Sequence, residues 1–142
     1  MHADETLWGH FLDACNRQPD APALRFDGET ILFGELCSAS FDFSQRLQNE
    51  YGIKHGDRVV WMGLNHPSIL IILFACARLG AIFTPLNSRL TRVEYQWLVD
   101  NCEPAVIVHD LHFMNIAETI SSAAARLSIV NVIPELRILY PS

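Results

Sequence analysis

The run His109-Asp110-Leu111-His112 contains residue types that bind metals and move protons. Imidazole and carboxylate groups are common zinc ligands, but a structural zinc site is closed by four of them. The run also follows a short apolar segment directly, which is typical of a solvated loop at the end of a strand. We favour the loop, and the sequence therefore predicts no metal-binding residues.

The chain contains no sequence pattern that is typical of nucleophilic catalysis. No serine lies in a Gly-x-Ser-x-Gly turn. Cys76 lies within an apolar run and is predicted to be a small core residue. Widely spaced cysteines without a Cys-x-x-Cys pair are typical of a reducing compartment, so we predict a cytoplasmic protein. The four cysteines are Cys15, Cys37, Cys76 and Cys102.

Phosphate binding would require a glycine-rich loop or clustered positive charge, and the sequence has neither. No Gly-x-x-x-x-Gly-Lys-Ser/Thr or Gly-x-Gly-x-x-Gly pattern occurs. Lys54 is the only lysine, and it is predicted to be a solvated surface residue. The formal net charge of −6 and the scattered arginines argue against a nucleic-acid-binding protein. We therefore assign no catalytic residue and no bound cofactor to this chain.

The elements that must position these residues include a strand, a helix and a second strand. Residues 59–64 form an apolar β run. Asn65 is a helix-capping residue type, and Pro67 suits the first helical turn, where a missing N–H has no cost. Gly80 is predicted to end the helix, and the β-type residues 81–84 follow it. This order predicts a βαβ unit, and hence a parallel sheet with a right-handed crossover.

The N-terminal part predicts a helix and a hairpin. Apolar residues at helical spacing indicate a helix over residues 6–17, with Thr6 as a possible cap. Residues 23–26 and 30–33 flank Asp27-Gly28-Glu29, which is typical of a β-hairpin with a glycine at its turn. A second helix is predicted over residues 34–51.

The C-terminal part continues the alternation of helices and strands. Thr91 and Glu94 form a capping-box pattern for a helix that ends before Pro104. Residues 105–108 are predicted to be a buried parallel strand. Past Asp110 the patterns indicate a helix over 113–127 and β-like runs over 129–133 and 136–140. The larger aromatic residues are predicted to fill the core or subdomain contacts: Trp61, Phe74, Phe83, Tyr95 and Trp97.

These elements predict an α/β fold, in which an N-terminal helix and β-hairpin lead into βαβ units that form a parallel sheet with helices on its faces. Half of the residues are apolar, which is enough for a sizeable core, and residues 1–142 are treated as one domain. The longest purely apolar run, residues 69–77, is too short to cross a bilayer, which takes about 20 residues. The acidic N-terminus does not match a secretory signal.

The ordered motifs Gly-Asp-Arg-Val, Asn-His-Pro and Ala-Arg-Leu-Gly-Ala-Ile-Phe-Thr-Pro-Leu-Asn-Ser-Arg-Leu-Thr resemble the N-terminal part of adenylate-forming enzymes. This AMP-dependent synthetase/ligase family includes acyl-CoA synthetases, peptide-synthetase adenylation domains and luciferases. The resemblance is clearest over residues 7–110. The chain departs from the family at Leu32, where a threonine often completes a capping box with Glu35.

The resemblance implies a two-step reaction for the parent enzymes. A carboxylate attacks ATP, assisted by Mg²⁺, to give an acyl-adenylate and pyrophosphate, and a thiol such as CoA then takes the acyl group. The residues that do this chemistry lie downstream in the family. The resemblance therefore implies a partial N-terminal domain of an acyl-CoA synthetase-like enzyme, which acts in fatty acid metabolism and is inactive without its downstream portion.

The same resemblance implies a single functional segment, Asn87-Ser88-Arg89, which lies near the CoA nucleotide in acyl-CoA synthetases. An arginine there could meet phosphate as a planar, permanently charged donor. The alternative is that this segment simply connects a strand to the helix that begins at Thr91.

Two other functions stay open from the sequence. The chain could be a non-catalytic remnant or an interaction module that pairs with a separately encoded remainder. It could also be a small flavodoxin-like nucleotide-binding domain, although it lacks a glycine-rich phosphate loop. In a partial domain, the parallel strands are expected to leave an open sheet edge and exposed apolar surface.

Overall fold

A computed structural model describes residues 5–132 of the 142-residue chain. The helices are α1 (Leu7–Arg17), α2 (Phe33–Tyr51), α3 (Ser68–Leu79), α4 (Arg92–Cys102), α5 (Met114–Thr119) and α6 (Ile129–Val132). The strands are β1 (Pro22–Phe26), β2 (Glu29–Leu32), β3 (Arg58–Met62), β4 (Ile82–Pro85), β5 (Val106–His109) and β6 (Ala125–Ser128).

The main sheet has four parallel strands in the order β4-β3-β5-β6, and β1 and β2 form a separate antiparallel hairpin. The predicted α/β class, with a parallel sheet and helices on its faces, is confirmed. From β3 the chain moves to β4 on one side and then returns to β5 on the other. Because crossovers between parallel strands are right-handed, this reversal places α3 and α4 on opposite faces of the sheet.

Each face of the sheet carries its own hydrophobic core. Alternate residues of β3 point to opposite faces, so Val59 and Trp61 belong to one core and Val60 and Met62 to the other. The first core is completed by apolar residues of α1, α2 and α3. The second is completed by residues of α4 and α5.

The aromatic residues follow this division with one exception. Trp61 and Tyr95 are buried, while Phe74 and Phe83 are partly buried against the first core, as predicted. Trp97 does not fill this core, because it is 63 % exposed; the alternative, that it makes a subdomain contact, stays a prediction. Tyr95 faces the sheet, and a residue two positions further along a helix points to the opposite side.

The N-terminal elements agree with their sequence patterns. Thr6 caps α1 because its Oγ1 accepts a hydrogen bond from the Gly9 N–H at 3.0 Å. In the hairpin turn, Asp27 and Gly28 both have positive φ, 49° and 80°. A two-residue turn of this kind matches the twist of the flanking strands.

The start of α2 keeps only half of a capping box. Glu35 Oε2 accepts a hydrogen bond from the Leu32 N–H at 2.8 Å, but the leucine side chain has no acceptor to offer in return. The predicted loss of the reciprocal cap is therefore confirmed. Helix α2 begins at Phe33, which was predicted to end the preceding strand.

At the start of α3 the predicted cap is wrong, and at its end the predicted glycine stop is confirmed. Asn65 is not the cap; His66 Nδ1 accepts the hydrogen bond from the Ser68 N–H at 3.1 Å. Pro67 is the N-cap residue, and its backbone is already helical, with φ −53° and ψ −27°. Gly80 ends α3 with a φ of 69°, and a Cβ there would lie 2.4 Å from the His55 ring.

The segment after β5 differs most from the prediction. The helix predicted over residues 113–127 is confirmed only for its first part, α5, which has six residues; the prediction is wrong beyond it, where β6 follows as a fourth parallel strand paired with β5. The Arg126 guanidinium ends α5 by donating hydrogen bonds to the carbonyls of Ala117 and Ile120. The strand predicted over 129–133 is also wrong, since α6 occupies Ile129–Val132, and the one predicted over 136–140 lies outside the described residues.

The sheet leaves apolar surface at its edge. In the described part of the chain β4 is an edge strand, and 52 % of the Ile82 side chain is exposed. Among residues 5–132, no helix combines the length and apolar character that crossing a membrane requires.

The reciprocal cap of α4 gives the first testable prediction. The Glu94 N–H donates to Thr91 Oγ1 at 3.2 Å, and the Thr91 N–H donates to Glu94 Oε2 at 2.7 Å. Thr91→Ala should lower the free energy of unfolding by about 0.5–2 kcal/mol, and Glu94→Ala by less. The double variant should lose less than the sum, because each bond supports the other.

Urea denaturation measures all three changes, with Glu118→Ala as the control because Glu118 is exposed and lies outside the box. Strict additivity of the two substitutions would contradict a reciprocal box.

Candidate functional site

The carboxyl ends of the parallel strands meet at one edge of the sheet. The connections that leave β3, β4 and β5 there are residues 63–67, 86–91 and 110–113. The chain reverses its direction across the sheet between β3 and β5. In open α/β sheets ligands bind at such a switch point, so this edge is the candidate functional site.

Asp110 ties the two connections at the switch point together. Its Oδ2 accepts a hydrogen bond from the Leu64 N–H at 2.8 Å, and its Oδ1 accepts one from the Phe113 N–H at 3.0 Å. The Asp110 N–H in turn donates to the Met62 carbonyl at 3.1 Å. Hydrogen bonds to an ionised carboxylate are stronger than neutral ones, so Asp110 holds both connections in place.

The predicted solvated loop at this position is wrong for two of its residues. Only 2 % of His109 and 8 % of Asp110 are exposed, because the neighbouring connection covers the end of β5. His109 Nδ1 lies 2.9 Å from the Asp110 carbonyl oxygen, whereas His112 is exposed. The two histidines therefore differ in their environment, and within residues 5–132 no group of three or more His, Cys, Asp or Glu side chains could hold a metal ion.

Side chains pack closely around Gly63, at the carboxyl end of β3. A Cβ on Gly63 would lie 2.3 Å from Trp61 Cζ2 and 2.9 Å from Asp110 Oδ2. The Trp61 ring is buried, and its Nε1 has no hydrogen-bond partner. Glycine at position 63 thus allows the indole and the carboxylate to close over the switch point.

The loop after β4 is the exposed part of the same edge. Asn87, Ser88 and Arg89 are all exposed. Asn87 Oδ1 accepts a hydrogen bond from the Arg89 N–H at 2.9 Å, an Asx-turn that shapes the loop. The Tyr95 hydroxyl donates to the Asn87 carbonyl at 2.6 Å. Burial raises the pKa of Tyr95, so the hydroxyl keeps the proton that it donates.

Most arginine side chains support the fold. Arg58 donates to the carbonyls of Cys102 and Glu103 at the end of α4, and Arg92 donates to the Thr119 carbonyl. Within residues 5–132, only Arg25 and Arg89 have guanidinium groups without a hydrogen bond, ion pair or ring contact. Arg89 is therefore the uncommitted positive charge at the carboxyl edge.

Sequence reasoning missed the roles of Asp110 and Arg58. A carboxylate directly after a buried strand was visible at position 110, but its two donors come from elsewhere in the chain. The predictions for Lys54 and Cys76 are confirmed, since Lys54 is exposed and Cys76 is buried in α3. Burial also raises the pKa of Cys76 to about 12.

Fold and site together define an open, doubly wound α/β domain with a closed switch point and an exposed basic loop beside it. The family model of AMP-binding enzymes matches residues 11–139. The chain belongs to this family, which confirms the resemblance to adenylate-forming enzymes.

Curated relatives agree with the family match. The chain is 33 % identical over 113 residues to an indoleacetate–CoA ligase from Aromatoleum aromaticum, a match that covers 80 % of this chain and 22 % of that protein. It is 36 % identical over 107 residues to a feruloyl-CoA synthase from Amycolatopsis sp, covering 75 % and 21 %. The chain thus spans about a fifth of the length of these relatives.

Solved structures share the fold. A putative long-chain-fatty-acid CoA ligase from Rhodopseudomonas palustris has a TM-score of 0.84 at 24 % identity, covering 89 % of this chain and 33 % of that one. An O-succinylbenzoate coenzyme A synthetase from Bacillus subtilis, solved with ATP and magnesium, has a TM-score of 0.79 at 19 % identity, covering 91 % and 34 %.

The Asp110 contacts generate a second prediction. Asp110→Ala leaves the N–H groups of Leu64 and Phe113 without their acceptor, and for the buried Phe113 donor this costs about 1–3 kcal/mol. Asp110→Asn keeps one acceptor oxygen and should lose less. Denaturant unfolding measures both, and Asp100→Ala is the matched control because Asp100 is exposed. A stability of Asp110→Ala equal to that of the unsubstituted chain would contradict the role of this carboxylate.

Proposed function

We propose that the chain is the N-terminal part of an ATP-dependent acyl-CoA synthetase-like ligase. Such a ligase activates a carboxylic acid as an acyl-adenylate and passes the acyl group to CoA. The family match over residues 11–139 carries this proposal. The relatives named as CoA ligases and CoA synthases support it. In this proposal residues 1–142 are one partial domain of a cytoplasmic enzyme of fatty acid metabolism.

We propose that ATP and Mg²⁺ bind outside the residues that the structure describes. Between residues 5 and 132, no group of three or more His, Cys, Asp or Glu side chains could hold a metal ion. Lys54 precedes β3 and so lies at the amino edge of the sheet, away from the loop of residues 87–89. We therefore assign adenylation to the remainder of the longer ligase, and propose that this chain alone is inactive.

The loop of Asn87, Ser88 and Arg89 is the segment that we propose to contact CoA. Its backbone is held by the Asn87 side chain and by the Tyr95 hydroxyl, so the loop is shaped before any ligand arrives. The exposed guanidinium of Arg89 is uncommitted, and this planar group matches the geometry of phosphate oxygens. The loop thus offers a positive charge at the sheet edge where ligands of this fold class bind.

Exposed apolar side chains support the downstream portion as the main partner. At the carboxyl edge 45 % of Leu64 and 61 % of Leu111 are exposed, and the Asp110 hydrogen bond to Leu64 brings the two connections together. On α4, Val93 and Trp97 are one helical turn apart and are 79 % and 63 % exposed. Exposed apolar groups of this kind mark surfaces that another part covers.

The same surfaces favour a second candidate, an interaction module that pairs with a separately encoded remainder. The two candidates differ in whether the downstream portion belongs to the same polypeptide. The DNA downstream of codon 142 distinguishes them. A Ser/Thr/Gly-rich loop ending in lysine in the same uninterrupted reading frame indicates a longer synthetase, and the same loop in a separate reading frame indicates a separately encoded remainder.

If adenylation belongs to the downstream part of the longer ligase, activity should appear only when that part is present. The isolated chain should not exchange pyrophosphate into ATP with any acid of a carboxylic acid panel. A chimera in which residues 1–142 replace the corresponding segment of feruloyl-CoA synthase should exchange pyrophosphate with ferulate. Exchange by the isolated chain above a blank would overturn the predicted inactivity, and a folded but inactive chimera would count against the scaffold role.

The proposed CoA contact predicts a selective kinetic defect in that chimera. Arg89→Ala should raise the KM for CoA about tenfold, because a charge-assisted hydrogen bond contributes about 1.5–3 kcal/mol. Pyrophosphate exchange, which precedes CoA, should be unchanged. Arg89→Lys should give an intermediate KM, since the charge remains but the planar fork is lost.

Arg25→Ala is the matched control, because Arg25 is an exposed and uncommitted arginine of the hairpin. An unchanged CoA dependence in Arg89→Ala would make the loop a simple connection into the Thr91 cap.

A further inference from the structure

Tyr95 lies in α4 and brings a polar group from the second core to the carboxyl edge of the sheet. Only 1 % of the residue is exposed, and it packs in the core that also contains Val60 and Ile107 of the central strands. A phenylalanine would fill this core equally well, so packing alone does not account for the hydroxyl.

The Tyr95 hydroxyl is bonded to the exposed loop after β4. It donates to the Asn87 carbonyl at 2.6 Å, and Asn87 Oδ1 in turn accepts the Arg89 N–H at 2.9 Å. Within residues 5–132, the bond from Tyr95 is the only hydrogen bond that ties residues 87–89 to a part of the domain beyond the connection 86–91. Without the hydroxyl, these residues would keep only the hydrogen bonds inside their own connection.

The ring of Tyr95 is held from the switch point. Its centroid lies 6.1 Å from that of Phe113, and the two rings are nearly perpendicular, at 83°. The Phe113 N–H donates to Asp110 Oδ1, and Asp110 Oδ2 accepts the Leu64 N–H. Edge-to-face aromatic pairs have a preferred geometry, so this contact fixes the ring that carries the hydroxyl. A continuous set of contacts therefore joins the connections that leave β3, β5 and β4.

We propose that Tyr95 is a positioning residue for the CoA step: its hydroxyl fixes the Asn87–Arg89 loop relative to the switch point, so that the Arg89 guanidinium is in place before the CoA phosphate arrives. This inference rests on the proposed CoA contact of Arg89. Tyr95 acts through that arginine and makes no contact with CoA itself. A loop that samples other positions binds more weakly, in proportion to the time that it spends outside the binding position.

The kinetic test uses the chimera of residues 1–142 with the remainder of feruloyl-CoA synthase. Tyr95→Phe should raise the KM for CoA about fivefold, because a neutral hydrogen bond contributes less than the charge-assisted bond of Arg89. Pyrophosphate exchange with ferulate should be unchanged, since it precedes CoA. A general loss of stability would instead lower both activities together.

Tyr51→Phe is the matched control. Tyr51 is half-buried against the first core, and its hydroxyl makes no hydrogen bond within residues 5–132. Its loss should leave both the KM for CoA and pyrophosphate exchange unchanged.

A double-mutant cycle tests whether Tyr95 acts through Arg89. In the Arg89→Ala background, Tyr95→Phe should change the KM for CoA less than about twofold, because the group that it positions is gone. An equal effect of Tyr95→Phe in both backgrounds would overturn the positioning role. If Arg89→Ala raises the KM and Tyr95→Phe does not, this inference is wrong and the CoA contact stands. If Arg89→Ala leaves the KM unchanged, the CoA contact is wrong and this inference fails with it.

Amide hydrogen exchange of the 142-residue chain, followed by NMR, tests the positioning without the chimera. Tyr95→Phe should speed exchange of the Arg89 N–H by roughly fivefold, because the loop opens more often. Phe113→Leu should speed it to a smaller extent, since the Tyr95 ring loses its edge-to-face partner. Phe11→Leu is the control: Phe11 is 7 % exposed, close to the 8 % of Phe113, but lies in the first core. Unchanged exchange at Arg89 in folded Tyr95→Phe protein would overturn the proposal.

Discussion

A parallel sheet must be covered on both faces, and most of this chain is arranged by that requirement. At most 1 % of any residue from Val59 to Met62 in β3, or from Val106 to Val108 in β5, is exposed. Helices α1, α2 and α3 cover one face, and α4 and α5 cover the other. Because each crossover is right-handed, the reversal between β4 and β5 is what delivers helices to both faces. The order of the strands and the placement of helices on both faces therefore follow from the same requirement. This requirement also places the closed switch point between the two central strands.

Charged side chains complete this arrangement by satisfying main-chain groups that the sheet and helices leave unpaired. Arg58 holds the last carbonyls of α4, Arg126 those of α5, and Asp110 the N–H groups of two connections. An unmade hydrogen bond at a buried main-chain group costs more than a made one contributes, so these contacts secure the ends of the elements. Within residues 5–132, these three charged side chains therefore serve the fold.

The sequence predicted best what is decided locally. Gly80 ends a helix and Thr91 begins one because their own backbone and side-chain geometry suffices.

The predictions from sequence failed where residues distant in the chain determine the structure. Residues 125–128 have a helical composition, yet pairing with β5 makes them a strand. Asp110 looked solvated because Leu64, its partner, is far away in the chain. Asn65 looked like a cap because asparagine is a common capping residue type, whereas the acceptor at this helix start is the His66 imidazole. Of the candidate site, the exposed loop could be located from sequence, whereas the closed crevice depends on the approach of Trp61 to Gly63.

That closed crevice bears on how this chain can take part in ligand binding. The switch point is where an open α/β sheet ordinarily receives its ligand, but here a single Cβ at Gly63 would already collide with Trp61 and Asp110. Asp110 is held there by its two N–H donors, so the glycine at position 63 and the carboxylate at position 110 depend on each other. Beside them, Arg89 is the uncommitted charge among the residues that the structure describes. In the function that we propose, a ligand at this edge meets surface groups such as Arg89, and the chemistry belongs to another part of a longer enzyme.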